Sequence, residues 1–260
     1  MIGNSGQIGP YRGPTSGMIR LQQVQQAPPY TAQFLLVGGG GGGNGGGAGA
    51  GGLINSVIAI IPLAQYVITI GSGGAINTDG SDSSFDTIAT AYRGLRGGAI
   101  NGGNAGNGVI PQGHLGGVVT SSYQYGQCGG GGAWLQGDPN QDNLTAGSGG
   151  NGLALTISGA SVYYAGGGAG GADTNLGFGA NGGLGGGGGL NLANQNGVAN
   201  TGGGGGGSLS GSGGTRSAGT GGSGIFIISY LGTRKGSGGT ITNVGGYTIH
   251  TFTTSGTFIG

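Results

Sequence analysis

The side chains able to do acid–base or nucleophilic chemistry are few and scattered. The chain has two histidines, His114 and His250, a single cysteine, Cys128, six aspartates and no glutamate. Asp82 and Asp86 lie close together, but in a Ser/Gly-rich stretch where aspartate usually serves a turn. The sequence therefore predicts a protein that is not an enzyme, with no catalytic and no cofactor-binding residues.

Metal and nucleotide sites are also weakly supported. One cysteine and two distant histidines do not make a ligand cluster, so we expect no metal. The stretch 79–86 (DGSDSSFD) leaves a calcium site open as an alternative to plain turns. The string GTRKGS at 232–237 lacks the spacing of a phosphate-binding loop. A net charge of +1 provides no excess of positive charge for binding nucleic acid, so we expect no nucleic-acid partner.

Aromatic and basic residues are concentrated between positions 91 and 136. Tyrosine, tryptophan and arginine are enriched at protein interfaces because they combine contact area with directed hydrogen bonds. We predict a receptor-binding site from seven residues: Tyr92, Arg93, Arg96, His114, Tyr123, Tyr125 and Trp134. The alternative is that Trp134 and Tyr125 fill the ends of a glycine-rich core.

The elements that must position these residues are dominated by glycine, which supplies 78 of 260 residues against a background of about 7%. Runs of glycine occur at 38–43, 129–132, 185–189 and 202–207. Only 5% of residues are charged and 34% are hydrophobic, which disfavours a disordered chain. Collagen is excluded because no Gly-X-Y period exists. The sequence predicts extended, polyproline-II-type glycine segments packed side by side.

Apolar runs predict β-strands between the glycine runs. We predict strands at 33–37, 53–61, 65–70 and 225–230 in one sheet system, and a hairpin at 151–165 that turns at Ser158-Gly159. The predicted fold class is an all-β, glycine-rich β-sandwich with bundled polyglycine segments and essentially no α-helix. His250 and Cys128 are expected to be structural.

The predicted organisation has three parts. Residues 1–32 form an attachment arm, 33–239 a glycine-rich β domain in which 91–148 is an exposed loop region, and 240–260 a strand segment. The N-terminal residues lack the basic and apolar regions of a signal peptide, so we expect synthesis in a cytoplasm. The apolar stretch 57–64 is too short to span a membrane, and we expect no membrane insertion.

An ordered set of strings carries a resemblance to a known family. The strings are YTAQFLLVGGGGGG (30–43), YVITIGSGG (66–74), GSDSSFDTI (80–88), NGLALTISGASVYYAGGGAGG (151–171), GVANTGGGGGG (197–207), GGSGIFIISY (221–230) and YTIHTFTTSGTF (247–258). Together they resemble the glycine-rich domain of tail fibre and other virion proteins of tailed bacteriophages, cyanophages especially. Whether 240–260 packs in its own domain or in a neighbouring subunit stays open.

The resemblance implies a function and partners. It implies a virion structural protein, a tail fibre or tip subunit that attaches the particle to a host surface glycan or outer-membrane protein. Residues 1–32 would hold other tail or fibre proteins, and a homo-oligomer, by analogy a trimer, would lie on the outside of the virion after synthesis in the host cytoplasm. One alternative is a purely structural baseplate, capsid or decoration component. Another is an ice-binding or wall-associated glycine-rich protein.

Overall fold

The computed structural model describes residues 27–119, 126–140, 145–173, 180–190, 195–210 and 217–260. Two antiparallel sheets form a sandwich, with strand orders β11-β12-β10-β1-β2 and β13-β3-β4-β5. The strands of the first sheet are β1 Tyr30–Val37, β2 Leu53–Ile60, β10 Ile225–Leu231, β11 Thr240–Val244 and β12 Tyr247–Phe252. Those of the second are β3 Gln65–Thr69, β4 Ser83–Phe85, β5 Ala89–Ala91 and β13 Gly256–Ile259.

The remaining elements are short. The hairpin of β6 Leu153–Leu155 and β7 Val162–Tyr164 turns through Gly159, whose φ of 90° suits glycine, and this confirms the predicted hairpin. A parallel pair is formed by β8 Ala172–Asp173 and β9 Leu209–Ser210. The one 3₁₀ turn within the described residues is Ala105–Gly108, so the all-β prediction is confirmed.

Strand β10 shows why its sequence is a continuous apolar run. Alternate side chains of a strand point to opposite faces. Phe226 and Ile228 face the core between the two sheets, and Ile225 and Ile227 face a second core under the β6–β7 hairpin. Because both faces are covered, the pattern is continuous instead of alternating.

The predicted grouping of strands needs one correction. The segments predicted at 33–37, 53–61 and 225–230 lie in one sheet, but 65–69 lies in the facing sheet, paired with β13 and β4. Strand β1 begins at Tyr30, inside the predicted arm. Residues 240–260 pair within their own chain, since β11 and β12 extend the first sheet and β13 joins the second.

Extended glycine segments form a bundle at one end of the sandwich. Their hydrogen bonds repeat every third residue, which is the period of a polyproline-II helix. Gly38 and Gly41 donate to the oxygens of Gly52 and Gly49. The other N–H groups of 38–43 donate alternately to carbonyl groups of 78–81 and of 219–222. The segment 38–43 thus donates to one neighbouring segment on each of its three sides.

The segment 45–52 is the centre of the bundle. Its N–H and C=O groups bond to six neighbouring segments: 38–41, 92–98, 103–106, 128–131, 168–171 and 202–205. Pairing of this kind leaves almost no buried backbone group unsatisfied, which a core without large side chains requires. The predicted bundle of polyglycine segments is confirmed.

Close approach of the backbones is the reason for glycine in this bundle. A Cβ built on Gly49 would lie inside 3.0 Å of the carbonyl oxygen of Asn104, and one on Gly204 inside 3.0 Å of the oxygen of Ala48. Neither glycine has a positive φ. At these two positions glycine is required because a Cβ would overlap a neighbouring backbone, and not for conformational freedom.

A buried hydrogen-bond network fixes the chain after β10. His250 Nδ1 lies 2.8 Å from the oxygen of Gly238, which only accepts, so Nδ1 carries the proton. Nε2 then accepts from the Tyr230 hydroxyl at 2.9 Å, and this hydroxyl accepts from the N–H groups of Lys235 and Gly236. His250 is fully buried, which confirms its structural role.

This network predicts lower stability in mild acid. Burial lowers the pKa of His250, so the unfolded chain, with a pKa near 6.5, takes up the proton first as the pH falls. The free energy of unfolding should be steady above about pH 7 and fall below about pH 6.5, by up to about 1.4 kcal/mol per pH unit. Urea midpoints at pH 7.5, 6 and 5 measure this.

A matched control uses the exposed histidine. The His114→Gln variant should show the same fall, since His114 lies on the surface. An unchanged midpoint across this range, or a fall that disappears in His114→Gln, would contradict the assignment to His250.

Candidate binding surfaces

The bundle has two ends at which its segments reverse. Residues 107–112, 133–135 and 184–186 reverse next to the sandwich, as the bonds of Gly106 to Ala50 and of Gly152 to Leu184 show. Residues 76–77 and 99–101 reverse at the far end. Part of the region predicted as exposed, 91–148, is interior, because residues 128–132 are buried beside the central segment.

Arg93 belongs to a cluster of charges on the outer edge of the bundle. Its Nη1 lies 3.4 Å from Asp82 Oδ1 and its Nε 3.9 Å from Asp79 Oδ2. The same carboxylates accept the backbone N–H groups of Arg93 and Arg96, at 2.8 and 2.9 Å. At this edge of the bundle, aspartate side chains thus accept the backbone hydrogens that the carbonyl groups of a neighbouring segment accept elsewhere. Arg93 is partly committed to the scaffold, whereas Arg96 is exposed.

These contacts account for the acidic stretch 79–86. Asp79 and Asp82 accept backbone hydrogens, while Asp86 lies in the β4–β5 turn with its Oδ1 2.9 Å from the N–H of Thr87. Across the described residues, no three His, Cys, Asp or Glu side chains are grouped to hold a metal ion. The calcium alternative therefore gains no support from these residues.

Tyr92 lies in a separate place, beside a groove of about 460 Å³ between β2 and β5. The groove is bordered by Gln112, whose amide oxygen accepts from Tyr92 N at 2.8 Å and whose amide nitrogen donates to Thr90 O at 2.9 Å. The Gln112 side chain therefore covers the edge of β5 as another strand would.

Trp134 lies on an exposed apolar surface. The N–H groups of Trp134 and Leu135 both donate to the oxygen of Asn151, and the Asn151 side chain accepts from Leu184 N at 2.9 Å. Two adjacent turns are thereby fixed to each other. We call the exposed side chains carried by these turns and by the segment beside them the apolar patch: Leu115, Trp134, Leu135 and Leu184.

The exposure of this patch bears on the two interpretations of Trp134. Trp134 is 60% exposed and Leu184 53% exposed. A residue that fills the end of a bundle is usually more buried than this, so the exposure of Trp134 favours its interpretation as a contact residue. Exposed large apolar side chains that cluster on a surface are typical of interaction sites.

The structure unites only part of the predicted site. The His114 side chain is exposed, and the backbone N–H of His114 donates to Gly132 O at 3.0 Å, beside the turn of Trp134. Tyr92, Arg93 and Arg96 lie on another segment. Tyr123 and Tyr125 lie outside the described residues. Sequence reasoning missed Leu115, Leu135 and Leu184, because a lone leucine among glycines gives no periodic signal of exposure.

Cys128 is buried, and burial raises the pKa of its thiol, which lies 3.9 Å from Asn140 Oδ1. A raised pKa keeps a thiol protonated and unreactive, so Cys128 packs as a small residue. Over the part of the chain that the structure describes, no helix is long and apolar enough to cross a membrane.

Comparisons with known proteins identify one family. No curated protein and no solved structure matches the chain. The family model described as a glycine-rich domain matches residues 22–231, which include the whole described bundle as well as β1 and β10. The chain therefore belongs to the glycine-rich domain family.

Proposed function

We propose that the protein is a virion structural protein of a tailed bacteriophage, a tail fibre or tip subunit that attaches the particle to the host cell surface through the apolar patch. The observation that carries the proposal is the exposed Trp134, held with Leu184 on a scaffold of paired backbones. The ordered strings from YTAQFLLVGGGGGG to YTIHTFTTSGTF supply the resemblance to phage tail proteins.

The scaffold favours binding because it is organised before the partner arrives. Both turns of the patch are tied to Asn151, so little conformational entropy remains to be lost on association. Rigid aromatic anchors surrounded by apolar neighbours supply most of the binding free energy in protein interfaces. The patch has this composition, with His114 beside it as a polar group.

The partners follow from the same proposal. The aromatic face of Trp134 suits a sugar ring of a surface glycan or an apolar loop of an outer-membrane protein. The described chain starts at the end of the sandwich opposite the bundle, because Tyr30 pairs with Ile60 while Val37 leads into Gly38. Residues 1–32 would hold other tail proteins, in a homotrimer on the outside of the virion.

The test is binding of the fluorescently labelled full chain to candidate bacterial cells. Trp134→Ala should weaken binding at least about tenfold, since a central aromatic anchor contributes roughly 2 kcal/mol. Trp134→Ala with Leu184→Ala should abolish it. Val57→Ala, which changes a residue 64% exposed on β2, should bind as wild type does. Periodate treatment of the cells tests for a glycan receptor, and protease treatment for a protein receptor.

Two results would contradict the proposal. Equal binding by wild type and the Trp134 variants would remove the patch from the interaction. Failure of folded wild type to bind any candidate cell would favour the baseplate, capsid or decoration component, in which the patch would contact other virion proteins.

A further inference from the structure

A second exposed surface lies at the end of the sandwich opposite the bundle. Strand β10 leaves the bundle after Gly224 and reaches this end at Leu231, and the β2–β3 turn reaches it at Ile61 and Leu63. Leu63 is 77% exposed, Leu231 66% and Ile61 48%. We call the exposed residues here the basal surface: Ile61, Leu63, Leu231, Arg234 and Lys235.

The apolar and cationic residues of the basal surface adjoin one another. Leu63, Arg234 and Lys235 border a recess of about 290 Å³ beside Gly260. The N–H of Leu63 donates to Gly260 O at 2.7 Å, which fixes the turn that carries the leucine. The surface thus combines an exposed apolar side chain with two positive charges around one depression.

Both cations are held in place by neutral groups. Arg234 Nε donates to Gly236 O at 2.9 Å, and Lys235 Nζ lies 4.8 Å from the ring centroid of Tyr30. Within the described ranges, both salt bridges belong to Arg93 on the bundle, so neither Arg234 nor Lys235 has a carboxylate partner there. Arg234 and Lys235 therefore give the basal surface two positive charges that no salt bridge neutralises among the described residues.

The charge distribution decides which occupant fits. Residues 1–26 of this chain contain Arg12 and Arg20 and no acidic residue, so they carry the same sign of charge as the basal surface. A second copy docked through the same surface would bring two more cations into contact. Like charges across an interface are costly, and an acidic surface is complementary.

We propose that the basal surface docks onto an acidic, partly apolar surface of a different protein, the partner that holds this chain in its assembly. That the assembly is a virion rests on the proposed function above.

Site-specific photocrosslinking of the full chain in the cells that assemble it tests the docking. A benzoylphenylalanine replaces Leu63, and a control protein carries it at Val198, which is 54% exposed on a bundle turn. Position 63 should crosslink a protein through an Asp/Glu-rich peptide that position 198 does not reach. Arg234→Glu with Lys235→Glu should lower that yield at least about tenfold. Its melting temperature should fall by no more than about 5 °C, since both side chains are exposed and their contacts with Gly236 and Tyr30 each contribute little.

Each outcome bears on one of the two proposals. Crosslinks to a second copy, to residues 1–26, or to a surface without acidic residues would overturn the docking. So would a yield that is unaffected by charge reversal, or no product at position 63. An acidic partner that is not a virion component would support the docking and refute the virion function.

Discussion

Alanine at Gly49 or Gly187 is expected to unfold the protein, while alanine at Gly189 leaves it stable. A Cβ on Gly49 would lie inside 3.0 Å of Asn104 O, and one on Gly187 inside 3.0 Å of Gly167 O. Both oxygens belong to backbones whose neighbours hold them in place. Relieving the overlap must separate whole segments, so we expect a loss of at least about 4 kcal/mol, a large part of the roughly 5–15 kcal/mol of a typical domain.

Gly189 is a matched control within the run 185–189. Among the described residues, the nearest atom to its added Cβ is Gly182 N at 3.5 Å, an ordinary contact, and its φ is not positive. Alanine there should change the free energy of unfolding by less than about 1 kcal/mol, and can raise it by restricting the unfolded chain. Thermal melts of the three variants measure the difference. Equal melting temperatures for all three would show that the backbones are not in contact.

Tyr230→Phe is expected to have the next largest effect. It deletes one oxygen that serves three hydrogen bonds, to His250 Nε2 at 2.9 Å and from the N–H groups of Lys235 and Gly236 at 3.0 Å each. Buried groups left without partners cost about 1–3 kcal/mol each. We expect a loss of about 3 kcal/mol, seen as a melting temperature lower by roughly 6–12 °C.

Tyr247→Phe is the control for this substitution. Tyr247 lies on the neighbouring strand β12 and is 48% exposed, so water can solvate its hydroxyl. Its loss should change stability by less than about 0.5 kcal/mol. Similar melting temperatures for the two phenylalanine variants would mean that the Tyr230 hydroxyl does not organise residues 232–239.

Much of the fold was predictable because its signals are local. The run IFIISY at 225–230 predicts a buried strand, and glycine runs without charge predict backbones in close contact. The assignment of 65–69 to the second sheet was not predictable. Periodicity shows which face of a strand is buried, but it does not show which strand lies beside it.

The candidate surfaces were harder to predict than the fold. Trp134 was predicted as a contact residue from its type alone, and Leu184 was missed because its neighbours are glycines. Their proximity depends on Asn151, which bonds to both turns across the bundle. The ion pair of Arg93 with Asp82 was not predictable for a similar reason, since it forms only when two segments of the bundle align.

We propose two independent surfaces, a cell-binding patch on bundle turns next to one end of the sandwich and an assembly-docking basal surface at the opposite end of the sandwich. Two readouts, cell binding and crosslinking from position 63, should be measured for two variants, Trp134→Ala with Leu184→Ala and Arg234→Glu with Lys235→Glu. We predict that the first variant loses cell binding and keeps the crosslink, and that the second does the reverse. Loss of both readouts together in either folded variant would contradict the claim.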